Sequence, residues 1–201
     1  MATPKITIRD LCVEYVSEER RERHIAIEGL SLDIVENEFL CVAGPSGCGK
    51  STLISAIAGF IKPRAGSLLL DGKPITHPGA DRGVVFQEYA LLPWRNVIEN
   101  VALGLKLRGV PKVEQHRIAE KYLAITNLTE AAAKYPHELS GGMKQRVAVA
   151  RTLANAPEVM LMDEPFAAVD AQTRMTLQEE LVRIWEHSKV TVLFVTHSVD
   201  E

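Results

Sequence analysis

The chain has 201 residues, 46% of them hydrophobic and 24% charged, with a net charge of −3. That is enough apolar content for one sizeable core, or one core with a smaller lobe, and the slight acidity gives no global basic field of the kind that draws nucleic acid. The opening "MATPKITIRD" is polar and strand-like rather than a leader, the three cysteines (Cys12, Cys41, Cys48) have no metal-like spacing, and no apolar run approaches the roughly 20 residues that span a bilayer, so a soluble protein of a reducing cytoplasm is expected.

In chain order, "KITIRDLCVEY" (5–15) and "IAIEGLSLDI" (25–34) alternate apolar and polar positions. They predict short strands, separated by the solvated mixed-charge loop "SEERRERH" (17–24). "FLCVAG" (39–44) is a continuous apolar run and predicts a strand buried on both faces. "GPSGCGKST" (44–52) follows, and then "STLISAIAGF" (51–60), where Leu53, Ile57 and Phe60 recur at helical spacing and Gly59 stands near the end. The glycines thus lie on a strand–loop–helix junction.

Gly44, Gly49, Lys50 and Ser51 satisfy the pattern G-x-x-x-x-G-K-[ST] in the context it requires. Glycines let backbone N–H groups converge on phosphate oxygens without a Cβ in the way, and the helix N-terminus adds unsatisfied donors. Lys50 supplies a point charge for the β and γ phosphates, and Ser51 a hydroxyl for Mg²⁺. The whole stretch, Gly44, Pro45, Ser46, Gly47, Cys48, Gly49, Lys50, Ser51 and Thr52, is read as holding a nucleoside triphosphate. Cys48 lies inside it and is open to alkylation.

"GSLLLDGKPI" (66–75) predicts a hairpin turning at Asp71-Gly72. From about Glu88 to Asn155 the pattern is helical, with "PWRNVIENVALGLKLRGV" and "HRIAEKYLAITNL" as candidates. In "LSGGMKQRVAVAR" (139–151), Met143, Val147 and Ala150, continued by Ala154, predict a helix that begins near Gly141. Ser140, Gly141 and Gly142 crowd its N-terminus, a second phosphate-binding end in the same chain. Two such ends suggest a head-to-tail pair, with each nucleotide between the glycine-rich loop of one copy and this helix end of the other.

"VMLMDEP" (159–165) is a second buried strand, ending in two carboxylates. Adjacent acids here could be a plain helix cap. Behind four apolar residues, and with the phosphate loop in the same chain, they read instead as catalytic: Asp163 to hold Mg²⁺ and Glu164 to orient and deprotonate the attacking water. "AQTRMTLQEELVRIWEHS" (171–188) places Leu177, Leu181 and Ile184 on one helical face, with Asp170 able to cap it. "KVTVLFVT" returns as a buried strand, and the alternation of strand and helix argues a mainly parallel sheet.

"LSGG" downstream of the phosphate loop and upstream of "LMDEP" resembles the ABC transporter ATPases over nearly the whole chain. The resemblance implies an α/β fold: a P-loop NTPase (RecA-like) core with an antiparallel β lobe (1–87 and 156–201) and an inserted helical lobe (88–155) carrying the signature. By the same resemblance Tyr15 in "VEY" is similar to the aromatic that stacks on adenine. Gln87 in "VVFQEYALLPW" resembles the Q-loop glutamine, a Mg²⁺ and water ligand where the transmembrane partner docks. Asp170 in "AAVD" resembles the D-loop aspartate of the dimer interface, and His197 in "VTHS" the switch histidine at the γ-phosphate. Glu164, His197, Gln87 and Lys50 are thereby expected to be catalytic, and Ser51, Gln87 and Asp163 to serve the metal.

The signature reads "LSGGMKQ", an importer-like variant, and Ala167 stands where the D-loop of relatives often has a small polar residue. The stretch 77–110, with "LLPW" and Trp94, resembles ATPases of the nitrate/sulfonate/taurine importer group. The expected cofactors are ATP and Mg²⁺. The expected partners are a second copy or a similar ATPase, transmembrane permease subunits and, indirectly, a solute-binding protein, but no nucleic acid. The chain would sit on the inner face of the cell membrane through its permease. Relatives in that family usually continue for a further helical segment past the switch histidine.

Overall fold

The computed structural model describes residues 4–17, 22–167, 169 and 171–197. The chain divides into two compact units. The first comprises Met1–Arg82, Glu158–Asp163 and Val190–Glu201, and the second Gly83–Pro157 and Glu164–Lys189.

The first unit opens with β1 (Pro4–Ser17) and β2 (Glu22–Val35), an antiparallel pair. Both strands are longer than their alternation predicts, because pairing continues into the charged run, with Val16 opposite Arg23 and Tyr15 opposite His24. The alternation also breaks. Ile6 and Ile8 are buried, and so are Leu11 and Val13, which have the opposite parity. A register shift between Ile8 and Leu11, with Asp10 at φ +46°, accounts for it. The extra residue of a β-bulge restores the inward face that a strict two-residue period would lose. β4 (Ala65–Leu70) and β5 (Lys73–Pro74) complete the sheet in the order β2-β1-β4-β5. Their hairpin turns on Asp71 and Gly72, both at positive φ, as a tight two-residue turn requires.

A parallel set runs β3 (Phe39–Ala43), β8 (Thr191–Thr196), β7 (Val159–Asp163) side by side. Every residue of β8 is buried, as are Val159 to Met162 of β7, and each such apolar side chain contributes about 1.5–3 kcal/mol. The expectation for β3 fails. Cys41 and Ala43, which share one face of the strand, are exposed, and among the described residues β3 is an edge strand paired to β8. An apolar run looks the same in sequence at an edge as at the centre. α1 (Lys50–Ala58) follows and ends at Gly59, burying Leu53 and Ile57, while Phe60 lies beyond the helix and is half exposed. Lys5 is buried and bonds both Asp71 (2.7 Å) and Glu158 (2.5 Å), joining β1 to the β4–β5 turn and to the foot of β7. Burial opposes its charge, but the hydrogen bonds to Asp71 and Glu158 outweigh that and raise its pKa above the ordinary lysine value.

A short strand, β6 (Arg82–Val85), stands where the units divide. The second unit then holds α2 (Val97–Val101), α3 (Leu103–Leu107), α4 (Lys112–Ile125), α5 (Gly141–Leu153) and α6 (Ala171–Ser188). Its core gathers Val101, Leu105, Leu123, Leu128 and Val147, and α6 buries Leu177, Leu181 and Ile184 as its period predicts. α2 starts on a capping box: the Asn96 side chain accepts from Glu99 N–H, and the Glu99 carboxylate from Asn96 N–H. Asn100 is fully buried. Its Oδ1 accepts from Leu92 N–H, and its amide donates to the carbonyls of Leu92, Arg95 and Asn96 at 3.0–3.2 Å. Asn100→Ala removes all of these at once, and urea denaturation should show a loss of about 2–4 kcal/mol. A loss below about 0.5 kcal/mol would mean that water replaces the amide there at no cost.

Candidate functional site

Parallel register gathers the first unit's candidate residues. Ala43 pairs with Thr196 and Asp163 with Val195, so the carboxyl ends of β3, β8 and β7 finish at one sheet edge. Gly44 N–H donates to the Thr196 carbonyl at 3.2 Å. The glycine-rich loop, His197 and Asp163 therefore leave the sheet side by side, where open parallel sheets bind ligands.

The loop has the form its composition predicts. Pro45, Ser46, Gly47 and Cys48 are exposed, and Gly47 and Gly49 have φ of +82° and +98°. At Gly49 a Cβ would fall 2.6 Å from the Ala26 carbonyl oxygen, so neither the dihedral nor the space admits a side chain. No side chain caps the start of α1, which leaves its first N–H groups facing the loop. Lys50 is 6% exposed, and its Nζ donates to the Gly44 and Pro45 carbonyls at 2.8 and 3.0 Å. The Ser51 hydroxyl donates to Asp163 Oδ1 at 2.9 Å. The Tyr15 hydroxyl lies 3.3 Å from Thr52 Oγ1, with the ring 44% exposed at the start of α1.

This donor set fits a magnesium-bound triphosphate. A hydroxyl and a carboxylate already within hydrogen-bond distance offer two hard oxygen ligands, beside a buried ammonium and open backbone donors. Among the described residues no group of three or more His, Cys, Asp and Glu could hold a metal instead.

Glu164 is the first residue beyond β7 and sits at φ +44°. That left-handed backbone costs a non-glycine residue about 1–2 kcal/mol, and such conformations concentrate at functional sites. His197, one residue past β8, is exposed.

In the second unit, the Ser140 hydroxyl caps α5 by accepting from Met143 N–H at 3.3 Å. A Cβ on Gly142 would lie 3.0 Å from Thr173 Cγ2 on α6, and one on Gly141 would lie 3.1 Å from the Tyr89 hydroxyl. Both glycines thus allow close packing around the helix end. Gln87 is exposed in the bend two residues past β6. Asp170 falls outside the described residues.

A glycine-rich loop between β3 and α1, paired through Ser51 to an aspartate at the end of β7, defines a P-loop NTPase core. The sequence profile of the ABC transporter family matches residues 27–167, and the chain belongs to that family. It is 60% identical over 176 residues to an uncharacterized ABC transporter ATP-binding protein of Methanocaldococcus jannaschii, covering 88% of this chain and 66% of that protein. It is 49% identical over 192 residues to the nitrate import ATP-binding protein NrtD of Synechococcus elongatus, covering 94% and 70%. It is 52% identical over 176 residues to the taurine import ATP-binding protein TauB of Rhizobium johnstonii, covering 88% and 67%. The chain thus spans about two-thirds of the length of these relatives. Among solved structures it resembles the ATP-binding cassette MJ0796, seen as a dimer in a post-hydrolysis state bound to ADP and Pi. The TM-score is 0.83 at 32% identity, covering 97% of this chain and 89% of that one.

Proposed function

We propose that this chain is the ATP-hydrolysing subunit of an ABC importer for nitrate, taurine or another alkanesulfonate, or a related small solute. The observation that carries the ATPase reading is the Ser51–Asp163 contact beside Lys50 at the carboxyl edge of the sheet. The importer reading is supported by identity near 50% to both a nitrate and a taurine import ATP-binding protein.

In this reading the loop from Gly44 to Thr52 cradles the phosphates and Tyr15 stacks on the adenine. Ser51 and Asp163, joined by Gln87, hold Mg²⁺, which neutralises phosphate charge when bound. Water attacks the γ-phosphorus, its proton passes to Glu164, and the bond from phosphorus to the bridging oxygen breaks, giving ADP and phosphate. Lys50 and His197 meet the charge that spreads over the γ-phosphoryl oxygens. The Ser140 hydroxyl and the amides near Gly141 and Gly142 approach from a second copy, with Asp170 at the interface between copies. Neither copy alone then offers a complete site, and closure is coupled to catalysis.

The helical lobe, 88–155, passes that motion to permease subunits near Gln87, and a solute-binding protein acts on their far side. Trp94 in "LLPW" is 71% exposed, so it fills no core and is free to meet such a partner. No helix among the described residues is long and apolar enough to cross a membrane, which suits an ATPase held at the inner face by its permease.

The test is growth. Cells carrying Glu164→Gln in the chromosomal copy are grown on taurine, other alkanesulfonates, sulfate, nitrate or ammonium as sole sulfur or nitrogen source. Loss of growth on one source alone names the solute. Normal growth on every source, in a strain with no second importer, overturns the assignment to this solute group.

A further inference from the structure

The segment that follows Gln87 is hydrogen-bonded to α5 near one end of the helix and touches it at the other. Arg151, in the last turn of α5, donates from Nη1 to the Ala90 carbonyl at 2.6 Å and from Nη2 to the Tyr89 carbonyl at 3.1 Å. The Tyr89 side chain runs to the other end of the helix, where its hydroxyl sits over Gly141. Gly141 and Arg151 are ten residues apart, which is about 15 Å along a helix. The arginine bonds and the tyrosine contact thus lay one short segment along most of the length of α5.

Three further facts show that the segment is held rather than resting there. Ala90 has φ +47°, a conformation that L-alanine adopts only when its surroundings enforce it. Leu91 packs against the core of the second unit, and Asn100 fixes the backbone of Leu92, Arg95 and Asn96. Burial lowers the Arg151 pKa from the ordinary arginine value, so its cation is short of water, and its guanidinium donates to two main-chain carbonyls. Breaking these bonds would strand a desolvated charge, which makes the attachment stiff.

We propose that Arg151 is a positioning residue that makes the segment carrying Gln87 and the Ser140–Gly142 end of α5 move as one body. This rests on the reading above, in which both of those elements meet the triphosphate. A push on the chain near Gln87 is then delivered to the signature end of α5 with no intervening loop to absorb it. The attachment needs a fork: two donors in one plane, reaching carbonyls of successive residues. A lysine keeps the charge but is shorter and presents one nitrogen, so it cannot reproduce the two separate contacts that Nη1 and Nη2 make.

The decisive variant is Arg151→Lys in the intact chain, read by hydrogen exchange, ATP binding and turnover. Amides of 88–92 should exchange about tenfold faster while those of α1 are unchanged. The ATP dissociation constant should stay within about twofold, and kcat should fall about 10- to 100-fold with KM little altered, as expected when a reacting group is misplaced rather than lost. Tyr89→Ala removes the second contact, leaves Arg151 in place, and should show the same split to a smaller degree; it carries the test if Arg151→Lys does not fold. Unchanged exchange at 88–92, wild-type kcat, or a fall in kcat matched by an equal loss of ATP affinity overturns the proposal. If the unaltered chain binds ATP but does not hydrolyse it, the ATPase reading has failed, and exchange at 88–92 still decides whether the two elements are joined.

Discussion

Glu164→Gln should bind ATP as tightly as the unaltered chain and turn it over at least about a hundredfold more slowly. Glutamine keeps the size of the side chain and most of its hydrogen bonding, but it cannot take a proton from water. It is no more strained than glutamate at φ +44°, so stability should change by less than about 0.5 kcal/mol. Binding without hydrolysis has a visible consequence if each nucleotide is shared between two copies: the ATP-bound pair cannot come apart. Light scattering in MgATP should report twice the mass of the chain, persisting for hours, where the unaltered chain dissociates as it hydrolyses. A monomer in saturating ATP would falsify the shared site, and a wild-type rate would remove Glu164 from the chemistry.

Lys50→Ala is expected to lower turnover about 10²–10³-fold, the cost of removing one well-placed charge from developing negative charge in a sheltered site. Lys50 is 6% exposed, and its ammonium donates to the Gly44 and Pro45 carbonyls, which are weaker partners than phosphate oxygens. Lys50→Arg should fare little better, because a planar guanidinium does not fit a space shaped around a single nitrogen. Thermal melting should shift little in either variant, since the loop carbonyls can return to water. Single-turnover kinetics with a separate equilibrium binding measurement distinguish the effects. A rate within tenfold of the unaltered chain would show that another cation meets the γ-phosphoryl group.

The phosphate loop was legible because its chemistry permits few residues: no side chain is tolerated at Gly49, and only a lysine follows it. β7, β8 and α6 were legible because burial on both faces, or on one helical stripe, leaves an apolar period. β3 shows the limit of that signal, since an edge strand and a central one share the same apolar run. The bulge at Asp10 was hidden because parity is reset by a backbone dihedral, and no residue type marks it. The left-handed conformation of Glu164 was hidden for the same reason, although the carboxylate itself was not. The expected single helix over 93–110 divides at Ala102 into α2 and α3. The role of Arg151 has no signature in the sequence, because its partners are carbonyls, which every residue carries.

The buried Lys5 has a mechanical consequence for the site it never touches. Glu158 is gripped at its side chain by Lys5, while its own N–H and that of Val159 both hang on the Asp81 carbonyl at 2.8 and 3.0 Å. These clamps act at the foot of β7, and the strand rises from there for five residues to Asp163. A short rod fixed at its base has little play at its tip. The aspartate and the glutamate beyond it are thus held still from about 15 Å away, at the strand rise of about 3.3 Å per residue. Loosening the foot would blur the aim of both carboxylates while leaving every contact around the phosphate loop in place.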